Sequence, residues 1–198
     1  MTLTFQGFNT HPGYARGRMI NAIKLASEFI ARLPAEGMSP ETTDGYEGYV
    51  HPYQVHASVD RTSVKMLIRD FVTAELKRKE ALLEGLARDV VARHPGASLS
   101  IAVAESYRNM REMLDGWPLV VERARAAMRR AGVQPIERPI RGGTDGARLS
   151  FMGLPTPNIF AGQHNFHSRL EWVSRQDMDK AVEVIVNLAE EAEEESKK

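Results

Sequence analysis

QVHASVDRTSVKMLIRDF, residues 54–71, is the stretch on which the fold turns. It holds two β-branched, alternating runs, 54–59 and 62–71, joined at Asp60 and Arg61, which is the pattern of a hairpin. Val64, Met66 and Ile68 recur at the strand period and share one face. Upstream, Leu3 and Phe5 keep the same period in a strand over residues 2–8. From Tyr14 on, Met19, Ala22, Ala26, Phe29 and Leu33 lie on one side of a helix that Pro34 closes. Residues 34–48, rich in Pro, Gly, Thr and acids, read as a long surface loop. Downstream, Leu76, Leu83, Leu86 and Val90 give residues 74–93 helical spacing, and His94-Pro95-Gly96 stops the helix. Residues 98–104 alternate again, with Leu99, Ile101 and Val103 inward.

The order is β-α-β-β-α-β, the ferredoxin-like arrangement in which two helices cover one face of a four-stranded antiparallel sheet. Its edge strands need solvent or a partner, and pairing of edges between two copies would make a dimer. After Tyr107 the pattern changes. Residues 117–131 read as a helix with Val120, Val121, Ala124, Ala127 and Met128 as its apolar stripe, and 133–136 as a short extended run. A glycine turn follows, then a helical piece at 147–152, a strand at 157–161, and a last helix opened by Ser174 and carrying Met178, Ala181, Val182, Ile185 and Leu188. Such alternation implies α/β with a parallel sheet, but two strands do not make one. The segment therefore reads as the trailing part of a larger sheet, with apolar faces exposed unless a partner covers them. The charged tail, 190–198, reads as a fraying, solvated helix end. The expected class is α+β followed by partial α/β, with domains at 1–110 and 111–198.

At 198 residues and 42% hydrophobic content the chain can bury a core. Lys plus Arg and Asp plus Glu are 26 each, so charge gives no reason to expect a nucleic-acid or membrane partner. With no cysteine, a metal would have to be held by His and carboxylates. No leader pattern opens the chain and no stretch is long enough to span a bilayer, which suits a soluble, cytoplasmic protein.

The chemistry centres on Arg141-Gly142-Gly143-Thr144-Asp145-Gly146. Two adjacent glycines let a turn approach a ligand closely, and the permanently charged fork of Arg141 beside them favours an anion. Lys-Ser or Lys-Thr does not follow, and no Gly-x-Gly-x-x-Gly is present, which makes nucleotide binding a weak alternative. This turn, with Gly153-Leu154-Pro155, Asn165, His167, Glu171 and Val173, resembles the peptidase T family, the tripeptide-aminopeptidase branch of the co-catalytic zinc peptidases. Gly45-Tyr46-Glu47-Gly48, Ile68-Arg69-Asp70-Phe71 and Asn9-Thr10-His11-Pro12-Gly13 extend the resemblance over nearly the whole chain.

The resemblance implies a ferredoxin-like lid that mediates homodimerisation, a short peptide substrate, and two zinc ions in the complete enzyme. It makes His167 a metal ligand, and gives Arg141 and Arg69 the peptide's terminal carboxylate, for which a guanidinium offers two parallel hydrogen bonds. His11 would face the substrate carbonyl, where a donor stabilises the developing oxyanion, or else cap the turn it sits in. Asn109 could touch substrate from the return between domains, with a hinge or turn role as its alternative. His164 and His167 have His-x-x-His spacing, but loop signals at Asn165 argue against a helical metal site. The His-x-Asp motif and bridging Asp implied for the other ligands are absent and Glu-Glu occurs only in the charged tail, which implies a missing N-terminal half and an inactive isolated chain. A non-catalytic ferredoxin-like interaction module is the competing expectation.

Overall fold

A computed structural model describes residues 1–197; the chain divides into two compact units, one from Met1 to Ser106 and one from Tyr107 onward. In the first unit, β1 (Thr2–Gln6), α1 (Ala22–Ala31), β2 (Tyr49–Ala57), β3 (Arg61–Arg69), α2 (Thr73–Ala92) and β4 (Ser98–Ala102) follow one another in the expected order. The sheet order is β2-β3-β1-β4, antiparallel throughout. Alternation dictates the faces. Leu3 lies opposite Val64 and Ile101, and Phe5 opposite Leu99, so the apolar members of three strands gather beneath the helices. They meet Ala22, Leu25, Ala26 and Phe29 of α1 and Leu83, Ala87 and Val90 of α2 in one continuous core. The rings of Phe5 and Phe29 tilt against each other at 5.7 Å. Thr4 and Ser63 share a hydrogen bond on the opposite, polar face of the sheet.

Three expected boundaries move. The helix expected from Tyr14 starts at Ala22, where Asn21 Oδ1 accepts from the Ile23 amide at 2.9 Å. A bridge between Phe8 and Ile20 holds the preceding residues in a loop instead. β2 begins at Tyr49, ahead of the expected residue 54, and runs through Pro52, with its register shifting between Pro52 and Gln54. An edge strand tolerates a proline whose missing N–H faces away from the ladder. β4 stops at Ala102, so Val103 is half exposed and not inward.

The second unit holds α3 (Arg111–Leu114), α4 (Pro118–Arg130), α5 (Asp145–Phe151), the two-residue strands β5 (Gln163–His164) and β6 (Trp172–Val173), and α6 (Arg175–Ser196). β5 and β6 form a small antiparallel pair. The runs expected at 133–136 and 157–161 form no strands, because a strand is defined by a hydrogen-bonded neighbouring strand and neither run pairs with one. The second run still places Ile159 and Phe160 against the small core of Ala127, Ala131 and Val184 between α4 and α6. The expected stripe of α6 holds only in part: Leu188 packs against this core. Val184 is fully buried, whereas Met178, Val182 and Ile185 are 46–60% exposed. The acidic tail is not merely solvated either, since Arg130 pairs with Glu190 at 2.7 Å and with Glu194 at 3.4 Å; Lys198 lies outside the described residues. No described helix is long and apolar enough to cross a membrane.

Candidate functional site

The glycine turn is packed from below and capped ahead. Arg141 is half-buried. Neither Gly142 nor Gly143 has a positive φ, so the pair does not serve the backbone freedom its sequence suggests. Gly143 is instead required by contact, because a Cβ there would overlap Cδ2, Cε2 and Cγ of the Tyr107 ring. A Cβ at Gly142 would meet nothing within 4 Å. Thr144 then caps α5, its side chain accepting from the Ala147 amide. Asp145 is exposed in the first turn of α5 and orients no turn by a side-chain bond. Gly146 is buried against Thr156, whose carbonyl oxygen lies 2.8 Å from where a Cβ would stand. Ser150, fully buried, donates to the Gly146 carbonyl at 2.7 Å and accepts from the Thr156 amide at 3.0 Å, tying α5 to the turn at Gly153.

The other candidate of this kind, Arg69, ends β3 and donates through Nη1 to the Ile68 carbonyl at 3.1 Å and to Ser106 Oγ at 3.3 Å. Its neighbour Asp70 makes a buried ion pair with Lys79 at 2.6 Å, both side chains under 10% exposed. Asp70 also accepts from the Val72 amide at 2.9 Å. Gly48 lies so close that a Cβ would overlap the Asp70 carboxylate, and Tyr46 rests on Phe71 with ring centroids 5.1 Å apart. The loop Gly45-Tyr46-Glu47-Gly48 is thus docked onto Arg69-Asp70-Phe71 by contacts in which Lys79 is the hidden member. Nothing in the sequence pattern singles out Lys79, because it sits nine positions from its partner inside an amphipathic helix.

His11 caps the 3₁₀ turn Pro12–Tyr14: its Nδ1 accepts from the Gly13 amide at 3.1 Å, and its ring lies 5.2 Å from that of Tyr14. An imidazole accepting at Nδ1 while neutral carries its proton on Nε2, so the exposed edge of His11 presents a donor. Asn109 accepts from the Arg111 amide at 3.1 Å, the turn-forming role set beside substrate contact above.

His167 is exposed at the tip of the β5–β6 hairpin, with φ 63°, and Asn165 beside it has φ 56°. Left-handed backbone costs a non-glycine residue about 1–2 kcal/mol, so two in one tip are notable. Asn165 Nδ2 donates to the Leu170 carbonyl and Ser168 Oγ accepts from the Leu170 amide, which fixes the loop around the histidine. His164 belongs to the strand below and stacks on Trp172 at 4.3 Å, so the His-x-x-His pair is not on a helix. Among the described residues no three His, Asp or Glu side chains gather where they could hold a metal ion. His167 thus stands apart from any such group of described residues.

Residues 1–95 match the family of the peptidase dimerisation domain. Over 182 residues, 92% of the chain, the sequence is 45% identical to peptidase T of Clostridium perfringens, 45% of which it covers. It is 46% identical over 187 residues to peptidase T of Aeromonas hydrophila, 46% of which it covers. The chain thus spans about half the length of the curated relatives it matches. In fold it is similar to aminopeptidase PepT from Bacillus cereus, with a TM-score of 0.63 at 19% identity over 96% of the chain and 50% of that protein. It is also similar to the YXEP protein of Bacillus subtilis, described as a dinuclear metal binding peptidase from the M20 family, with a TM-score of 0.52 at 15% identity over 95% of the chain and 48% of that protein.

Proposed function

We propose, from the premise that this chain is a relative of peptidase T with a peptidase dimerisation domain at residues 1–95, that it forms the lid and the C-terminal catalytic segment of a zinc-dependent aminopeptidase removing the N-terminal residue from tripeptides. One observation carries this. The likeness to proteins named peptidase T extends over 92% of the chain and so runs far beyond the dimerisation domain into the second unit, where the glycine turn and His167 lie.

Each residue then has work suited to its geometry. Arg141 and Arg69 donate paired N–H groups to the terminal carboxylate, so that a peptide's far end is located and its length measured. His11 donates from Nε2 toward the substrate carbonyl, with its other nitrogen held by the turn it caps. His167 supplies one imidazole to the metal centre, and Asn109 shapes the chain entering the second unit. Zinc, two ions in the complete enzyme, supplies Lewis acidity that these side chains cannot. Its remaining ligands lie outside this chain, which by itself is inactive. The lid joins two copies as a homodimer, through an edge of the sheet, in the cytoplasm.

Supplying the chain with a polypeptide carrying the remaining ligands, and measuring zinc content together with tripeptide cleavage, tests the reading. Activity that disappears in His167→Ala is the expected result; cleavage unchanged by that substitution sinks it. A second reading is favoured by the family match ending at residue 95: a lid retained purely for self-association. That reading predicts dimers by light scattering and no cleavage after complementation.

A further inference from the structure

Tyr107 is the first residue of the second unit, and no catalytic or binding role falls to it in the account above. Its ring nevertheless lies against Gly143 of the Arg141 turn, where a side chain has no room. Three of its carbons, Cγ, Cδ2 and Cε2, occupy the space where a Cβ of residue 143 would stand, whereas residue 142 faces open space. The neighbours of Tyr107 reinforce this seat. The guanidinium of Arg108 lies 3.9 Å over the ring of Phe151, at the end of α5, and Met110 Sδ accepts from Asn158 Nδ2 at 3.7 Å. Asn158 in turn lines the close approach to Gly146, at the start of that helix. Tyr107, Arg108 and Met110 therefore grip the glycine turn, the far end of α5 and the run through Asn158 together. A ring wedged under a backbone turn removes conformations that two glycines would otherwise allow, because the freedom of glycine is lost where its missing side chain is replaced by a neighbour's.

We propose that Tyr107 is a positioning residue: its ring, interlocked with Gly143, fixes the turn that carries Arg141 and so sets where that guanidinium can meet the carboxylate end of a peptide. The interlock stands on contact alone; the ligand of Arg141 rests on the peptidase reading.

Thermal melts of the full chain read the interlock. Gly143→Ala lowers the melting temperature by about 5 °C in the wild-type background, as overpacking does, while Gly142→Ala leaves it unchanged. In a Tyr107→Ala background the added methyl has room, and Gly143→Ala costs no more than about 1 °C. Equal costs in the two backgrounds overturn the interlock.

The complemented enzyme reads the positioning. Tyr107→Ala raises KM about tenfold for a tripeptide, with kcat held, but leaves KM for the same tripeptide amide within about twofold, because only the former offers a carboxylate to a misplaced Arg141. Tyr107→Phe, which keeps the ring, restores the wild-type preference. Parallel rises for acid and amide overturn the proposal even if the melts support the interlock. If wild-type enzyme cleaves no tripeptide, the peptidase reading fails instead. Amide exchange at residues 141–144 of the chain then decides the positioning claim: faster in Tyr107→Ala than in Tyr107→Phe upholds it, and equal rates overturn it.

Discussion

The first unit closes its core and the second does not. In the first, four strands and two helices surround Leu3, Phe5, Phe29, Met66, Leu83 and Val90, none more than 1% exposed. In the second, among the described residues, only Ala127, Ala131 and Val184 form a buried cluster, while Trp117, Ile136, Leu154, Leu170 and the outer face of α6 stand in solvent. Similar lengths of chain thus bury very different amounts of apolar surface. A sheet with two covering helices satisfies its own backbone and its own core, whereas extended segments without paired neighbours satisfy neither. The contrast separates a unit that is complete as a fold from one that leaves many of its described apolar side chains in solvent.

Emptying the closed core should have the largest effect. Phe29→Ala costs about 3–5 kcal/mol and speeds exchange of the β1 amides, because no side chain can collapse into the space beneath the sheet. An effect no larger than that of Val184→Ala would erase the distinction between the two cores. Next comes Lys79→Met, which strands the Asp70 carboxylate in a buried site and costs about 3 kcal/mol or more, measured by denaturant unfolding. Pairing it with Asp70→Leu should recover much of the loss, since an apolar pair needs no charge compensation; no recovery would mean that the ion pair has a role beyond satisfying itself. On α6, by contrast, Val182→Lys with Ile185→Glu changes stability by about 0.5 kcal/mol or less but reduces dye binding and self-association. A large loss of stability there would show that this face is already packed.

What the sequence made legible follows the same division. Alternation at Leu3, Phe5, Val64 and Met66 and helical spacing at Ala22, Ala26, Leu83 and Val90 are local signals that the core of the first unit converts directly into contacts. β2 was partly hidden because Pro52 reads as a strand breaker until its place at the sheet edge is known. In the second unit the sequence put Ile185 and not Val184 in the stripe of α6, and only the packing of Val184 with Ala127 and Ala131 shows which of the two turns inward. Of the site, the glycine turn and His167 stood out as residues. Lys79 under Asp70, Tyr107 under Gly143 and Ser150 under Thr156 did not, because each joins positions brought together only by folding.

The smallest effect compares the hairpin turns of the two units. Residues 58–60 close the β2–β3 hairpin through a carboxylate: Ser58 Oγ donates to Asp60 Oδ1 at 2.6 Å, and Gly7 donates to the Asp60 carbonyl at 2.8 Å. The hydroxyl bond from Ser58, with backbone donors beside it, holds the Asp60 carboxyl below its ordinary value. The tip from Asn165 to Leu170 is closed by the neutral groups of Asn165 and Ser168. A carboxyl whose folded pKa is depressed binds fewer protons folded than unfolded in the window between the two values, so its contribution is present above the ordinary Asp range and is lost as pH falls through the folded value. Acidification from about pH 6 to pH 2 should therefore loosen the first turn before the second, seen as earlier exchange at the Gly7 and Arg61 amides than at Leu170. Asp60→Asn, which cannot titrate, removes that difference; if the Gly7 and Arg61 amides of the wild type kept their protection to the acid end as well as Leu170 does, the carboxylate would not be what closes the hairpin.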